Sequence, residues 1–262
     1  PAVTLESMRK AGFVVTKSAR SVDFAFVRTV EDFNKVLELR QAVYQEVYRH
    51  GPFAVQQGDV YDTRSRILMA TYHGRVIGSL RMIFNEASDS FEHESQIHFS
   101  GSFPRKDEIV EISRVCTHPD YRGSDLLFGL LRHAGLATIQ SGRRYILGYS
   151  PVNLWGIYAR VGSKPIGHTF LYPEEAPREH QVEIRPFLID GYGVLSGADV
   201  NFVIWNAMFS DLLPHVDMKK ILGSDPIVNV RLGLYRLLAP ISKLVEYRMS
   251  RPRKQKKRAA VL

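Results

Sequence analysis

Glu111-Ile112-Ser113-Arg114 puts a carboxylate and a guanidinium three residues apart inside a β-branched run, 108–117. Buried charges are costly unless paired or hydrogen-bonded. Charges on such a strand therefore mean either a solvated edge, a structural ion pair, or a catalytic strand. A second chemical signal follows at once, where Arg122-Gly123 precedes an apolar helical stretch. The amides of a helix N-terminus, helped by a basic residue and a glycine, can cradle phosphate. The stricter glycine-rich pattern is missing. Cys116 is the only cysteine, which excludes an intrachain disulfide and a multi-cysteine metal site. Its place within the strand run reads as a buried, inert thiol. His93, His98 and His118 lack metal-ligand spacing and read as surface or turn residues, so no metal is expected.

The elements that must position these residues follow from periodicity. Phe24–Thr29 reads as a first strand. Thr29 suits a helix N-cap, with Phe33, Val36, Leu37, Leu39, Val43, Tyr44 and Val47 following at helical spacing up to Gly51-Pro52. Residues 67–72 and 76–83 read as a hairpin turning at His73-Gly74. A long polar connection, 85–107, leads to the charged strand. Residues 125–140 are helical, with Gly142 as C-cap. Residues 144–149 form a strand, 151–160 a short helix stopped by Gly162, and 182–189 a late strand. Pro186 argues that this last strand is an edge or bulged. Residues 199–215 and 227–248 are apolar with helical patterning. The result is a mixed α/β (α+β) fold, a mostly antiparallel central sheet flanked by helices. It divides into an arm at 1–22, a main domain at 23–198 and a C-terminal helical extension at 199–262.

The 262 residues are 45% hydrophobic and 24% charged, enough for a substantial core. The net charge of +8 is concentrated at the end: no acid follows Glu246, and Arg248, Arg251, Arg253, Lys254, Lys256, Lys257 and Arg258 crowd the last residues. Such an end suits anionic lipid or an acidic protein. Nucleic-acid binding is not expected, because the body has no basic–aromatic stripe. No signal peptide and no transmembrane helix are expected. A cytoplasmic protein, peripheral on the inner membrane face through 199–258, is the expectation.

Two sets of residues carry a resemblance. Strand 108–117, Arg122-Gly123 with its helix, the next strand, and Asn153–Gly162 with Tyr158 four residues before Gly162 together resemble the GNAT acyltransferase superfamily over residues 66–167. Arg40 and Tyr44 on the first helix, Asp59-x-x-Asp62, Arg81 and Glu111-x-x-Arg114 occur in an order similar to the N-acyl amino acid synthases and the related acyl-homoserine lactone synthases. Acyltransferases associated with exosortase systems are a further relative.

The resemblance implies transfer of a fatty acyl group from an acyl carrier protein thioester to the amine of an amino acid, with no tightly bound cofactor. It gives catalytic positions to Glu111 (base), Arg114, Arg81 and Tyr158 (protonation of the leaving thiolate), and substrate contacts to Arg40, Tyr44, Asp59, Asp62 and Ser113. Val115, Cys116, Thr117, Arg122, Gly123 and Ser124 would hold the donor's phosphopantetheine, carried by acyl carrier protein or coenzyme A. The phosphate loop lacks its second glycine and adds Asp125, which counts against tight coenzyme A binding. A lactone synthase is the second reading, weakened by the lack of tryptophan at 40–65 and by the longer chain. A non-catalytic acyl-carrier or membrane-binding module with the same fold is the third.

Overall fold

A computed structural model describes residues 22–47, 58–97, 103–121, 126–174, 177–209 and 221–249. The arm at 1–21, the helix end at Arg49–Pro52, His98, Arg122-Gly123-Ser124 and the basic residues beyond 249 lie outside the described residues.

The strands β1 (Val22–Phe26), β2 (Ser65–Tyr72), β3 (Arg75–Ile83), β4 (Ile109–Thr117), β5 (Tyr145–Pro151), β6 (Lys164–Pro165), β7 (Phe170–Tyr172) and β8 (Val182–Asp190) form one sheet. Their order is β1-β2-β3-β4-β5-β8-β6, with β7 also on β8. Only β4 and β5 are parallel among the described pairs. The β2–β3 hairpin turns on His73 at φ 47° and Gly74 at φ 75°, the left-handed pair that matches strand twist. β1 begins at Val22, so the boundary drawn between 22 and 23 cuts a strand.

Helix α1 (Val30–Val47) lies over one face of β3 and β4. Thr29 caps it: the Asp32 amide donates to Thr29 Oγ1 at 3.1 Å. Its inward stripe is Val36, Leu39, Arg40 and Val43, all buried. The apolar members pack with Ile67, Val76 and Cys116. Helix α2 (Leu126–Gln140) packs on the other face, where Val110, Ile112, Leu80 and Met82 meet Leu126, Phe128, Leu130 and Ala134. Phe128 is therefore core, as is the half-buried Trp155 that packs against it.

Pro186 is not on an edge. β8 pairs with β5 on one side and with β6 and β7 on the other. Proline is tolerated because the second side is shared by two short strands: β7 pairs with 182–184 and β6 with 187–188, and Pro186 falls between them. Helices α3 (Trp155–Arg160), α4 (Gly191–Leu195), α5 (Phe202–Phe209) and α6 (Pro226–Met249) complete the described chain. Ile204, Trp205, Met208, Phe209 and Leu232 join the same core as the sheet. The C-terminal helices are thus built onto the main domain.

Candidate active site

Parallel pairing of β4 with β5 stops after Ile112 opposite Gly148. Beyond that point the strands part, and their ends face a cleft instead of each other. Gly148 is needed here: a Cβ would sit 2.5 Å from Phe187 Cζ. The Phe187 ring packs against Tyr158 of α3, tilted by 37° with centroids 5.0 Å apart, which seats that phenol in the cleft wall. The cavity measures ≈ 400 Å³. Its walls are Val115, Cys116 and Thr117 of β4, Tyr44 of α1, Tyr149 and Pro151 of β5, Tyr158, and the loop residues Glu92 and His93.

A β-bulge sets the polar wall. β3 and β4 are in register at Arg81↔Ser113 and again at Ser79↔Cys116, so Leu80 faces two residues, Arg114 and Val115. Arg114 absorbs the extra residue at φ 51°, unusual for a side chain with a Cβ. Plain alternation would send Ser113 and Arg114 to opposite faces. The bulge re-aims Arg114 so that both reach the same network.

That network has three arginines and three acids. Arg81 is fully buried and spent on the protein: Nε donates to Ser113 Oγ at 3.0 Å, Nη2 to Glu92 Oε2 at 2.8 Å, and Nη1 to Asp59 while lying 3.3 Å from Asp62. Arg40, also buried, donates to Asp62 at 3.2 Å. Asp59 in turn accepts the amides of Tyr61 and Asp62. These carboxylates and Arg40 therefore hold the arginines and the 58–64 loop in place. Burial would raise the Asp59 carboxyl, but Arg81 and Arg114 beside it hold it below the usual range.

Arg114 differs. Its Nη2 lies 3.1 Å from both Asp59 Oδ2 and Glu92 Oε1, and the guanidinium lines the cleft with its side chain 13% exposed. Its Nε makes no hydrogen bond among the described residues. Burial, the largest influence, disfavours its charge, yet Glu92, Tyr44 and Tyr172 together outweigh it and keep the guanidinium protonated.

Glu111 does not pair with Arg114. It is completely buried, and both of its oxygens are engaged. Oε1 accepts from Tyr149 Oη at 2.6 Å and from the Glu92 amide at 2.9 Å, and Oε2 accepts from Asn85 Nδ2 at 3.1 Å. Burial pushes its carboxyl up to about 7, against the pull of the Tyr149 hydrogen bond and with the help of the Glu92 charge. The carboxylate is not part of the cleft wall, but Tyr149 is. Burial, then the Glu111 charge, holds the Tyr149 phenol well above its ordinary range. Burial alone pushes Tyr158 up to about 12.

His93 is neither a surface nor a plain turn residue. Its half-buried ring packs against Tyr149 at 4.8 Å, Tyr172 at 5.0 Å and Phe170 at 5.3 Å. Burial lowers its pKa below the ordinary value, against the pull of the Glu92 charge nearby. The Cys116 thiol is raised by burial and sits 3.1 Å from Ser79 Oγ, which makes it inert.

The structure brings Arg40, Asp59, Asp62, Arg81, Ser113 and Arg114 together in one place. Asn85, Glu92, Tyr149 and Tyr172 escaped sequence reasoning. Glu92 links everything, bonding Arg81 and Arg114 with its side chain and Glu111 with its amide. It lies in a polar connection with no periodicity, so no local signal marks it. No group of His, Cys, Asp and Glu among the described residues could hold a metal ion.

The open sheet, with β4 and β5 parting over a cleft, has the architecture of the GNAT fold. Residues 39–132 match the family model described as "Acetyltransferase (GNAT) domain". The chain accordingly has a GNAT-like fold. Among solved structures it is similar to TofI in its apo form (16% identity, TM-score 0.51, covering 69% of this chain and 97% of that one). It is also similar to FeeM, an N-acyl amino acid synthase from uncultured soil microbes (9%, 0.49, 69% and 95%), and to Escherichia coli ElaA (16%, 0.48, 65% and 100%). No curated protein matches the chain in sequence.

Proposed function

We propose that this chain moves a fatty acyl group from an acyl carrier protein thioester to the amine of an amino acid, giving an N-acyl amino acid. One observation carries the reading: Arg114, a partly buried guanidinium with an unsatisfied Nε, lines the cleft where the β4 and β5 ends part. A fixed cation there suits an acceptor with a carboxylate. The amine beside that carboxylate would then lie against Tyr149.

The chemistry follows from the neighbours. The acceptor amine must lose a proton to attack. Glu111 is the base, and Tyr149 passes the proton: the phenol takes it from the amine while giving its own to Glu111 Oε1, 2.6 Å away. Nitrogen bonds to the thioester carbonyl carbon, and the resulting oxyanion is held by backbone amides of β4 past Ile112. Collapse breaks the carbon–sulfur bond. Tyr158 is protonated and lines the cleft, so it supplies the thiolate's proton. Arg81, Arg40, Asp59, Asp62 and Glu92 position Arg114 and Glu111. The pantetheine arm runs along Val115–Thr117, and its acyl chain lies toward Val43, Leu154 and Ile184. The carrier protein is favoured over coenzyme A as donor by the acid and the missing glycine in the phosphate loop.

The test is mass spectrometry of lipid extracts from cells overexpressing the chain, beside cells carrying Glu111→Gln. A new N-acyl amino acid that the variant lacks is the expected result. An acyl lactone would replace this reading with the lactone synthase. No new lipid, with amino acids and acyl carrier protein supplied to the purified enzyme, would overturn acyl transfer to an amine altogether.

A further inference from the structure

Nine large apolar side chains are exposed among the described residues, and five of them lie on α6: Ile227, Val230, Leu234, Leu237 and Ile241. Their spacing of three and four places all five within an arc of roughly 80° at 3.6 residues per turn. This is one continuous stripe, 50–77% exposed.

The stripe is not a core face left unpacked. α6 already has an anchored side. Leu232 is buried, and Tyr235 Oη donates to the carbonyls of Gly197 at 3.0 Å and Val200 at 3.3 Å. Tyr235 also lies against Trp205 at 5.4 Å, and Arg231 donates to the Ser196 carbonyl. The apolar stripe points away from these contacts. α6 does not cross a bilayer, since no described helix is long and apolar enough. It carries Arg231, Arg236, Lys243, Glu246 and Arg248 within its 24 residues.

We propose that α6 lies flat on an anionic lipid bilayer, with this stripe in the acyl boundary. Charge names the occupant. The sequence that follows α6 directly has Arg251, Arg253, Lys254, Lys256, Lys257 and Arg258 and no acid. A segment of this kind beside an apolar stripe is the two-part signal for a negatively charged membrane surface. A second copy of the chain would bring the same positive segment against itself. The proposal stands apart from the acyl-transfer reading, since its readout is binding to lipid and not turnover.

The experiment is co-sedimentation of the full chain with vesicles of phosphatidylcholine alone and of phosphatidylcholine with phosphatidylglycerol. The chain should pellet with the anionic vesicles only. Leu234→Glu/Leu237→Glu should weaken that binding by about tenfold or more, because it puts charge into the buried stripe. Replacing the six basic residues by Gln should weaken it too, most at low salt. Both stripe positions are exposed, so circular dichroism should show an unchanged fold. Unchanged binding by the stripe variant, or no preference for anionic vesicles, overturns the proposal. A dimer in gel filtration that the stripe variant dissolves, without vesicle binding, also overturns it and assigns the face to a second copy.

Discussion

With both carboxylate oxygens already accepting hydrogen bonds, Glu111 can reach the cleft only through a neighbour, and Tyr149 is that neighbour. Its carboxyl titrates near 7, above the ordinary 4.5. A base must be ionised, so kcat should rise with pH through about 7 and level off above it. Glu111→Gln should lower kcat by roughly 10²-fold or more and remove that limb, the scale of general-base loss. Tyr149→Phe should fall by a similar factor, because the relay is cut while Glu111 keeps the Glu92 amide. A Tyr149→Phe enzyme with an intact pH limb would hand the base role to His93, which lines the same cleft. The raised carboxyl also has a consequence for stability. The protonated form is favoured in the folded state, so its contribution is full below about 4.5 and is lost as pH climbs through about 7. Urea denaturation should therefore show Glu111→Gln gaining on the parent protein between pH 5 and pH 8. A difference that stays constant over that range would contradict the burial argument.

At the scale of elements, Arg81 and Arg114 separate into two jobs that their types do not distinguish. Arg81 joins β3 to Ser113 of β4, to the 58–64 loop and to Glu92. Arg81→Met leaves Glu92 and Asp59 short of their main partner inside the protein. Stability should drop by about 3–5 kcal/mol, the usual result of breaking a buried pair. Chemical denaturation measures it. Arg114→Ala should act mainly on the acceptor, raising its KM with a smaller change in the KM of the acyl donor. Equal changes for both substrates would remove Arg114 from acceptor recognition. Gly148 sets the cleft's floor, and Gly148→Val should drive Phe187 off Tyr158. That overpacking should cost about 1–3 kcal/mol, and it should lower turnover beyond what the stability loss explains.

Across the whole molecule, one sheet serves two ends. The parting of β4 and β5 opens the candidate cleft, while β8 and the C-terminal helices build a platform whose outer face is α6. On the proposed reading the product is an amphipathic lipid, and an enzyme making it gains from standing on a bilayer, where that product partitions. Deleting residues 250–262 should therefore weaken vesicle binding and spare turnover on soluble substrates.

The sequence by itself determined most of the elements and part of the candidate polar network. Periodicity is local, so the Thr29 cap, the His73-Gly74 hairpin, the charged strand and the α2 helix were readable from spacing alone. Arg40, Asp59, Asp62, Arg81, Ser113 and Arg114 were readable because they fall into short ordered motifs. The tertiary structure decided where those side chains sit and what they bond. Pairing between β3 and β4 makes Arg114 the bulge residue, and a bulge is a property of two strands in register. The same pairing buries Arg81 among its acids and leaves Arg114 facing the cleft. Glu92, Asn85 and Tyr149 come from a polar loop and a different strand, so no window of sequence could join them to Glu111. Pro186 was misread for the same reason: an edge is defined by neighbours, and its neighbours are two short strands that sequence periodicity did not show.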